Sequence, residues 1–226
     1  VTSATIAIID YDMGNLHSVA KALDVVGATP IVSDRAADIL SADAVVLPGV
    51  GAFDPAMARL QERGLVTVIH EVIAKGMPFL GICLGLQVLF EYSEEGTAAG
   101  LGVFAGAVKR LQSEPNLTIP HMGWNQLTLK QSDAPLWQGL PPRPWVYFVH
   151  SYVVVPAAPQ LVAATVQHGQ QTVTAAIAHK NVVACQFHPE KSGAIGLKIL
   201  ENFVRFVQQF PPAPVAIATS APSLEG

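Results

Sequence analysis

Gly81-Ile82-Cys83-Leu84-Gly85 carries the sharpest chemical signal in this sequence. It follows the apolar run Phe79-Leu80-Gly81-Ile82 and precedes a helical pattern at Leu86, Leu89 and Phe90. Strand, sharp turn and helix are the context of a nucleophile elbow, here with cysteine in place of serine. Such a turn holds the nucleophile in a strained backbone conformation, and the flanking glycines let neighbouring elements come close. The thiol then stands at a helix N-terminus, where the dipole favours the anion. The backbone N–H of Leu84 points at an oxyanion, and Gln87 lies one helical turn above Cys83 on the same face. The alternative for Cys83 is a small buried hydrophobe.

A thiolate nucleophile needs a base, and the base needs an orienting group. Seven histidines compete for the role. His17, His70, His168 and His179 stand in ordinary helix or strand contexts, which suits surface or packing roles. His188 differs, because Gln186-Phe187-His188-Pro189-Glu190 closes an apolar strand, and sites in parallel α/β sheets form at such strand ends. Glu190 follows a proline that fixes the turn, so its carboxylate can hold one imidazole nitrogen while the other faces the thiol. A polar turn is the competing account of His-Pro-Glu. The chain order Cys, His, Glu departs from the nucleophile, acid, His order of the α/β-hydrolases. Cys185, mid-strand beside Ala184, reads as inert core.

The elements that must position these groups alternate over the first 92 residues. Expected are a strand at 5–9, a helix at 15–26 closed by Gly27, a strand at 30–33, a weak helix at 35–40 and a buried strand at 44–47 broken by Pro48-Gly49-Val50-Gly51. One or two helices cover 54–75, and a strand opens at Phe79. Strands apolar on both faces and alternating with helices mean an α/β fold, mainly a parallel central sheet with helices on each side. Between Val103 and Ala184 short β-type runs recur at 107–111, 126–129, 145–149, 152–155, 161–167, 172–178 and 182–187. They read as added antiparallel or mixed strands extending the sheet. A last helix at 193–209 carries an apolar stripe of Ile195, Ile199, Phe203, Phe206 and Phe210. One domain is expected over 1–210, followed by a disordered Pro/Ala-rich tail at 211–226.

Composition narrows the function classes. Half of the 226 residues are hydrophobic and 13% are charged, which excludes disorder for most of the chain. The longest apolar stretch, Phe79 to Phe90, has 12 residues, against the roughly 20 of a spanning helix. No basic n-region precedes an apolar run at the start, so no secretory signal is expected. A net charge of −4 without a basic stripe argues against nucleic acid as a partner. Two cysteines are too few for a disulfide framework, and a reducing, cytoplasmic setting is expected. No His-Glu-x-x-His, paired Cys-x-x-Cys or phosphate-loop pattern occurs, so neither a metal nor a cofactor is expected.

These residues resemble the class I, triad-type glutamine amidotransferases, whose signature is a Gly-x-Cys-x-Gly-x-Gln elbow and a later His-Pro-Glu. Within that class the chain is similar to the glutaminase subunits of imidazole glycerol phosphate synthase. Four segments carry the narrower likeness: Ile9 to Leu16, Leu47 to Phe53, Ile119 to Asn125 and Tyr147 to Tyr152. Together the likeness spans about 5–210. It implies a class I amidotransferase fold and a Cys83, His188, Glu190 triad that hydrolyses glutamine through a glutamyl thioester. The Val50 N–H would complete an oxyanion hole with Leu84. Gly49, Gly51, Ser151, Tyr152 and the Gln87 side chain would hold the substrate. The implied partner is a (β/α)₈-barrel cyclase, in a heterodimer, that receives the ammonia and makes imidazole glycerol phosphate and an aminoimidazole carboxamide ribotide. A glutaminase of pyridoxal phosphate or anthranilate synthesis is the alternative, against which the 119–125 segment argues. Pro120, His121, Met122, Gly123 and Trp124 have the aromatic-plus-Met composition of an interface, although Trp124 in a glycine-flanked loop also suits a core. The likeness places Tyr147 near the ammonia exit; a buried strand position is its plain alternative. Asn15 suits a helix N-cap, an interface role, or both.

Overall fold

A computed structural model describes residues 3–210; the expected tail at 211–226 lies outside the described residues. The elements run β1 (Thr5–Ile9), α1 (Leu16–Val25), β2 (Thr29–Ser33), α2 (Ala36–Ser41), β3 (Ala44–Gly49), α3 (Phe53–Glu62), α4 (Leu65–Ala74), β4 (Phe79–Cys83) and α5 (Leu84–Gln87). They continue with β5 (Tyr92–Ser93), β6 (Gly106–Arg110), β7 (His121–Leu129), β8 (Trp145–His150), β9 (Tyr152–Pro156), β10 (Val162–His168), β11 (Gln171–His179), β12 (Val182–Cys185) and α6 (Gly193–Gln209).

The main sheet has the order β2-β1-β3-β4-β12-β11-β10-β7-β8. Its first five strands are parallel and the rest antiparallel, as the sequence led one to expect. Every residue of β3, β4 and β12 is buried, because helices cover both faces. One core packs α1 and α6 through Val19, Leu23, Ile199 and Phe203. The other packs α2, α3 and α4 through Ile39, Leu60 and Ile69. From β1 the strand order runs to β2 on one side and to β3 on the other, so the sheet switches direction there. The C-terminal ends beside such a switch are where a site forms.

Four local differences have physical causes. Strand β3 runs through Pro48 to Gly49 instead of breaking after Leu47. The proline is tolerated because pairing with β1 has ended at Val46, so no ladder bond needs its missing N–H. The helix after Cys83 is a single turn, since the Leu89 and Phe90 N–H groups donate to the i−3 carbonyls of Leu86 and Gln87 and both side chains tuck into the core. The runs at 107–111 and 152–155 leave the main sheet and pair with each other as β6 and β9, joined by β5. The 121–125 segment is not a loop but the first half of β7. Its register against β8 pairs Trp124 with Tyr147 and His121 with His150.

Candidate active site

The elbow forms where β4 meets α5. Cys83 sits at φ 55° and ψ −109°, a conformation that a non-glycine residue adopts only when its surroundings enforce it. Here they do: a β-carbon on Gly85 would collide with the Leu47 carbonyl, so only glycine lets the turn sit against β3. The Cys83 sulfur lies on the floor of a cavity of about 330 Å³, at the small end for ligand pockets. His188, Gln87, Val50, Gly51, Ser151 and Tyr152 share its walls, so most of the expected substrate residues converge there.

His188 follows the end of β12. Its Nδ1 lies 2.8 Å from Glu190 Oε1, and both side chains are buried. Among the described residues Nε2 has no hydrogen-bond partner, and it faces Cys83. Burial pulls the imidazole pKa down, but Cys83 and Glu190 together outweigh it and hold His188 at about 9. The backbone is fixed as well. His188 N–H donates to the Tyr147 carbonyl at 2.9 Å. The Ser192 hydroxyl donates to the His188 carbonyl at 2.6 Å and accepts from Tyr147 N–H at 2.9 Å. Ser192, which the sequence did not single out, thus ties His188 to β8. Cys185 is buried, and burial first of all pushes its thiol pKa well up, as inert core requires.

The ladder decides what the Leu84 N–H meets. Phe79 N–H bonds to Asn181 on the β12 side and Val45 N–H bonds to Pro78. Odd residues of β4 therefore bond towards β12 and even ones towards β3. Carried to the end of the Gly49–Cys83 register, this alternation turns the Leu84 N–H to the Gly49 carbonyl. One expected oxyanion donor is thus covered by the chain's own backbone. Gly49, expected at the substrate, lines a narrow neighbouring cleft with Asn15, Val50, His188 and Glu190 rather than the main cavity. Asn15 holds the N-cap position of α1 but makes no capping bond with its side chain, and it faces that cleft.

Two further residues bear on the cavity, one behind its lining and one in it. Gln186 is fully buried. Its Nε2 donates to the Cys83 sulfur at 3.6 Å and its Oε1 accepts from Gln87 Nε2 at 3.0 Å. Gln87 Nε2 also donates to the Tyr152 carbonyl at 3.1 Å. Its amide donors are therefore spent inside the protein, and only its Oε1 remains for a substrate. Glu95, whose carboxylate accepts from Phe53 N–H at 2.9 Å, is the acidic residue on the cavity wall.

The β7–β8 hairpin has a chemically inverted alternation. Met122, Trp124 and Trp145 are 62%, 51% and 50% exposed, and Trp124 meets Tyr147 edge to face. Trp124 is therefore not a core residue, and Trp145 joins the patch unannounced. Among the hairpin's inward positions, beside the buried Val146 and Phe148, stand His121, Asn125 and His150. His150 Nδ1 donates to the Tyr152 carbonyl at 3.0 Å, which leaves its Nε2 to accept from His121 Nδ1, also at 3.0 Å. His121 Nε2 then accepts from Asn125 at 3.1 Å. This one-way chain requires neutral rings. Burial, followed by neighbouring imidazoles, lowers His121 to about 4 and His150 to about 3. His121 is thus buried on Phe148 rather than presented to a partner. Pro120 lies on the cavity wall, and Gly123 sits between the exposed Met122 and Trp124.

Comparison with known proteins fits this geometry. The family model for class-I glutamine amidotransferases matches residues 7–206. The imidazole glycerol phosphate synthase subunit HisH of Thermosynechococcus vestitus is 76% identical over 208 residues, which cover 92% of this chain and 100% of that one. The HisH subunit of Acaryochloris marina is 66% identical over 203 residues, 90% of this chain and 95% of that one. Solved structures share the fold at low identity. A glutamine amidotransferase superposes with a TM-score of 0.68 at 17% identity, covering 90% of this chain and 98% of that one. PurLQS from Thermotoga maritima gives 0.69 at 18%, covering 91% and 100%. The matched stretch runs from β1 into α6 and takes in Cys83, His188 and Glu190, and this chain belongs to the class-I glutamine amidotransferase family.

Proposed function

We propose that this chain is the glutaminase subunit of an imidazole glycerol phosphate synthase and works in the cytoplasm. It supplies ammonia to a (β/α)₈-barrel cyclase partner. The observation that carries the chemistry is the strained Cys83 beside a His188 held by Glu190; the acceptor and the partner rest on the 76% identity to a HisH subunit.

Cys83 attacks the side-chain carbonyl carbon of glutamine, and the C–N bond breaks as His188 gives its proton to the departing ammonia. A glutamyl thioester remains. His188 then takes a proton from water, which attacks the thioester; the C–S bond breaks and glutamate leaves. Glu190 holds the imidazole tautomer throughout. Glu95 and the free Gln87 Oε1 suit the substrate's ammonium group, and Gly51 and the Ser151–Tyr152 backbone suit its carboxylate. Ammonia leaves towards the hairpin, whose exposed aromatic face receives the barrel.

The oxyanion needs Leu84 N–H and a second donor, for which Val50 N–H is placed next in the chain. Rotation of the Gly49–Val50 peptide would withdraw the Gly49 carbonyl from Leu84 and bring in Val50 N–H in one movement. Glycine at 49 makes that rotation inexpensive. Losing one such donor costs roughly 10²–10³ in rate, so the peptide forms the main part of a switch that partner and acceptor bias. The test is glutaminase turnover of the chain alone, with partner, and with partner plus an acceptor analogue. Stepwise activation is expected; equal turnover in all three overturns the switch.

A further inference from the structure

Tyr11 follows β1 at the point where the strand order reverses, and it is completely buried. Among the described residues its hydroxyl has no hydrogen-bond partner. That hydroxyl lies against Gly49: a β-carbon on Gly49 would run into it, and would stand 2.8 Å from the Leu84 Cβ and 3.0 Å from the Gly85 nitrogen. The phenol is therefore wedged beneath the peptide proposed to rotate. Burial first, then the charge of Cys83, drives its pKa far above the ordinary range, so it stays a donor.

A buried hydroxyl without an acceptor is costly. The resting register spends the Leu84 N–H on the Gly49 carbonyl and leaves Tyr11 unused. When the carbonyl swings away from Leu84 it loses its donor. Its new path is about the Gly49 α-carbon, which Tyr11 borders. One bond between the two would satisfy both groups. We propose that Tyr11 is a positioning residue for the oxyanion loop, its hydroxyl donating to the Gly49 carbonyl only in the rotated, active state. This rests on the peptide rotation proposed above and adds what holds the rotated state in place.

Tyr11→Phe keeps the ring and removes only the donor. In the complex with barrel partner and acceptor analogue, kcat for glutamine should fall about ten-fold, with KM within two-fold of wild type. The Tm of the isolated variant should not fall, because the resting state makes no bond with that hydroxyl. A stimulated kcat within two-fold of wild type overturns the proposal, and so does a loss accompanied by a falling Tm or a rising KM. A crystal structure of the Cys83→Ala complex with glutamine gives a second decision. Tyr11 Oη within hydrogen-bond distance of the Gly49 carbonyl is expected; Asn15 in that place instead, or a carbonyl still on Leu84, overturns it. If wild type is not stimulated by its partner at all, the rotation itself fails and the latch falls with it. Normal stimulation in both wild type and variant removes the latch alone.

Discussion

Two regions of this molecule bury histidines, and they treat them in opposite ways. At the end of β12, His188 has a thiol on one side and a carboxylate on the other, and its pKa stands at about 9. Under the β7–β8 hairpin, His121 and His150 have no carboxylate beside them, only other imidazoles, Asn125 and a carbonyl, and they fall to about 4 and about 3. Burial pushes all three rings the same way. What reverses the outcome at His188 is the Cys83 side chain on one side and the Glu190 carboxylate on the other. The charged ring belongs where a proton must move; the neutral rings form a strut from Asn125 to the Tyr152 carbonyl, which Gln87 also holds. In the function proposed, one region does the chemistry, and the other joins the cavity wall to an exposed aromatic face.

The contrast breaks most severely if Cys83 is removed. Cys83→Ala should reduce glutamine hydrolysis by on the order of 10⁴-fold or more, with folding and partner binding intact. Synthesis by the complex should continue on added ammonium salts. Even a tenth of wild-type turnover in steady-state assays would exclude Cys83 as nucleophile.

Trp124→Ala addresses the other region. Loss of a half-exposed aromatic at an interface centre should weaken partner binding by about 2 kcal/mol, roughly thirty-fold in Kd. The isolated chain should melt near the wild-type temperature. Calorimetric titration of folded protein checks the first, and a thermal scan the second. An unchanged Kd would take Trp124 out of the interface.

The smallest effect, and the most pointed, is on pH. His188 is raised above the ordinary histidine value, so its proton is held at neutral pH and lost as pH rises through about 9. The alkaline limb of kcat/KM should fall there, since the ring can no longer protonate the leaving ammonia. Glu190→Gln removes one of the two groups that hold His188 up, so that limb should move to lower pH, towards the behaviour of His150. A pH–rate profile checks the shift, and a limb that stays in place would separate Glu190 from His188.

Much of the candidate site was legible because its residues stand at strand ends with local signatures. The elbow glycines, the cysteine and the His-Pro-Glu turn each announce themselves within a few residues. Gln186 did not, because a lone amide beside Cys185 resembles any polar residue at a strand end; only the fold brings it to the sulfur. Glu95 and Tyr11 were silent for the same reason. Strand β7 was half missed on different grounds. Its inward face carries His121 and Asn125, its outward face Met122 and Trp124. The period of two is present with its polarity inverted, because the inner polar atoms satisfy one another. Pro48 hid the end of β3, since nothing local shows that the β1 ladder has already stopped.

The central claim is that Cys83 makes ammonia for an acceptor reached through the hairpin face. It is tested most directly by turning over amide-¹⁵N glutamine with the barrel partner and its acceptor in excess unlabelled ammonium, then measuring ¹⁵N in the imidazole product. The account predicts a product carrying nearly full label, lost on Cys83→Ala. Label diluted to the bulk ammonium ratio, or absent with the wild-type chain, would contradict it.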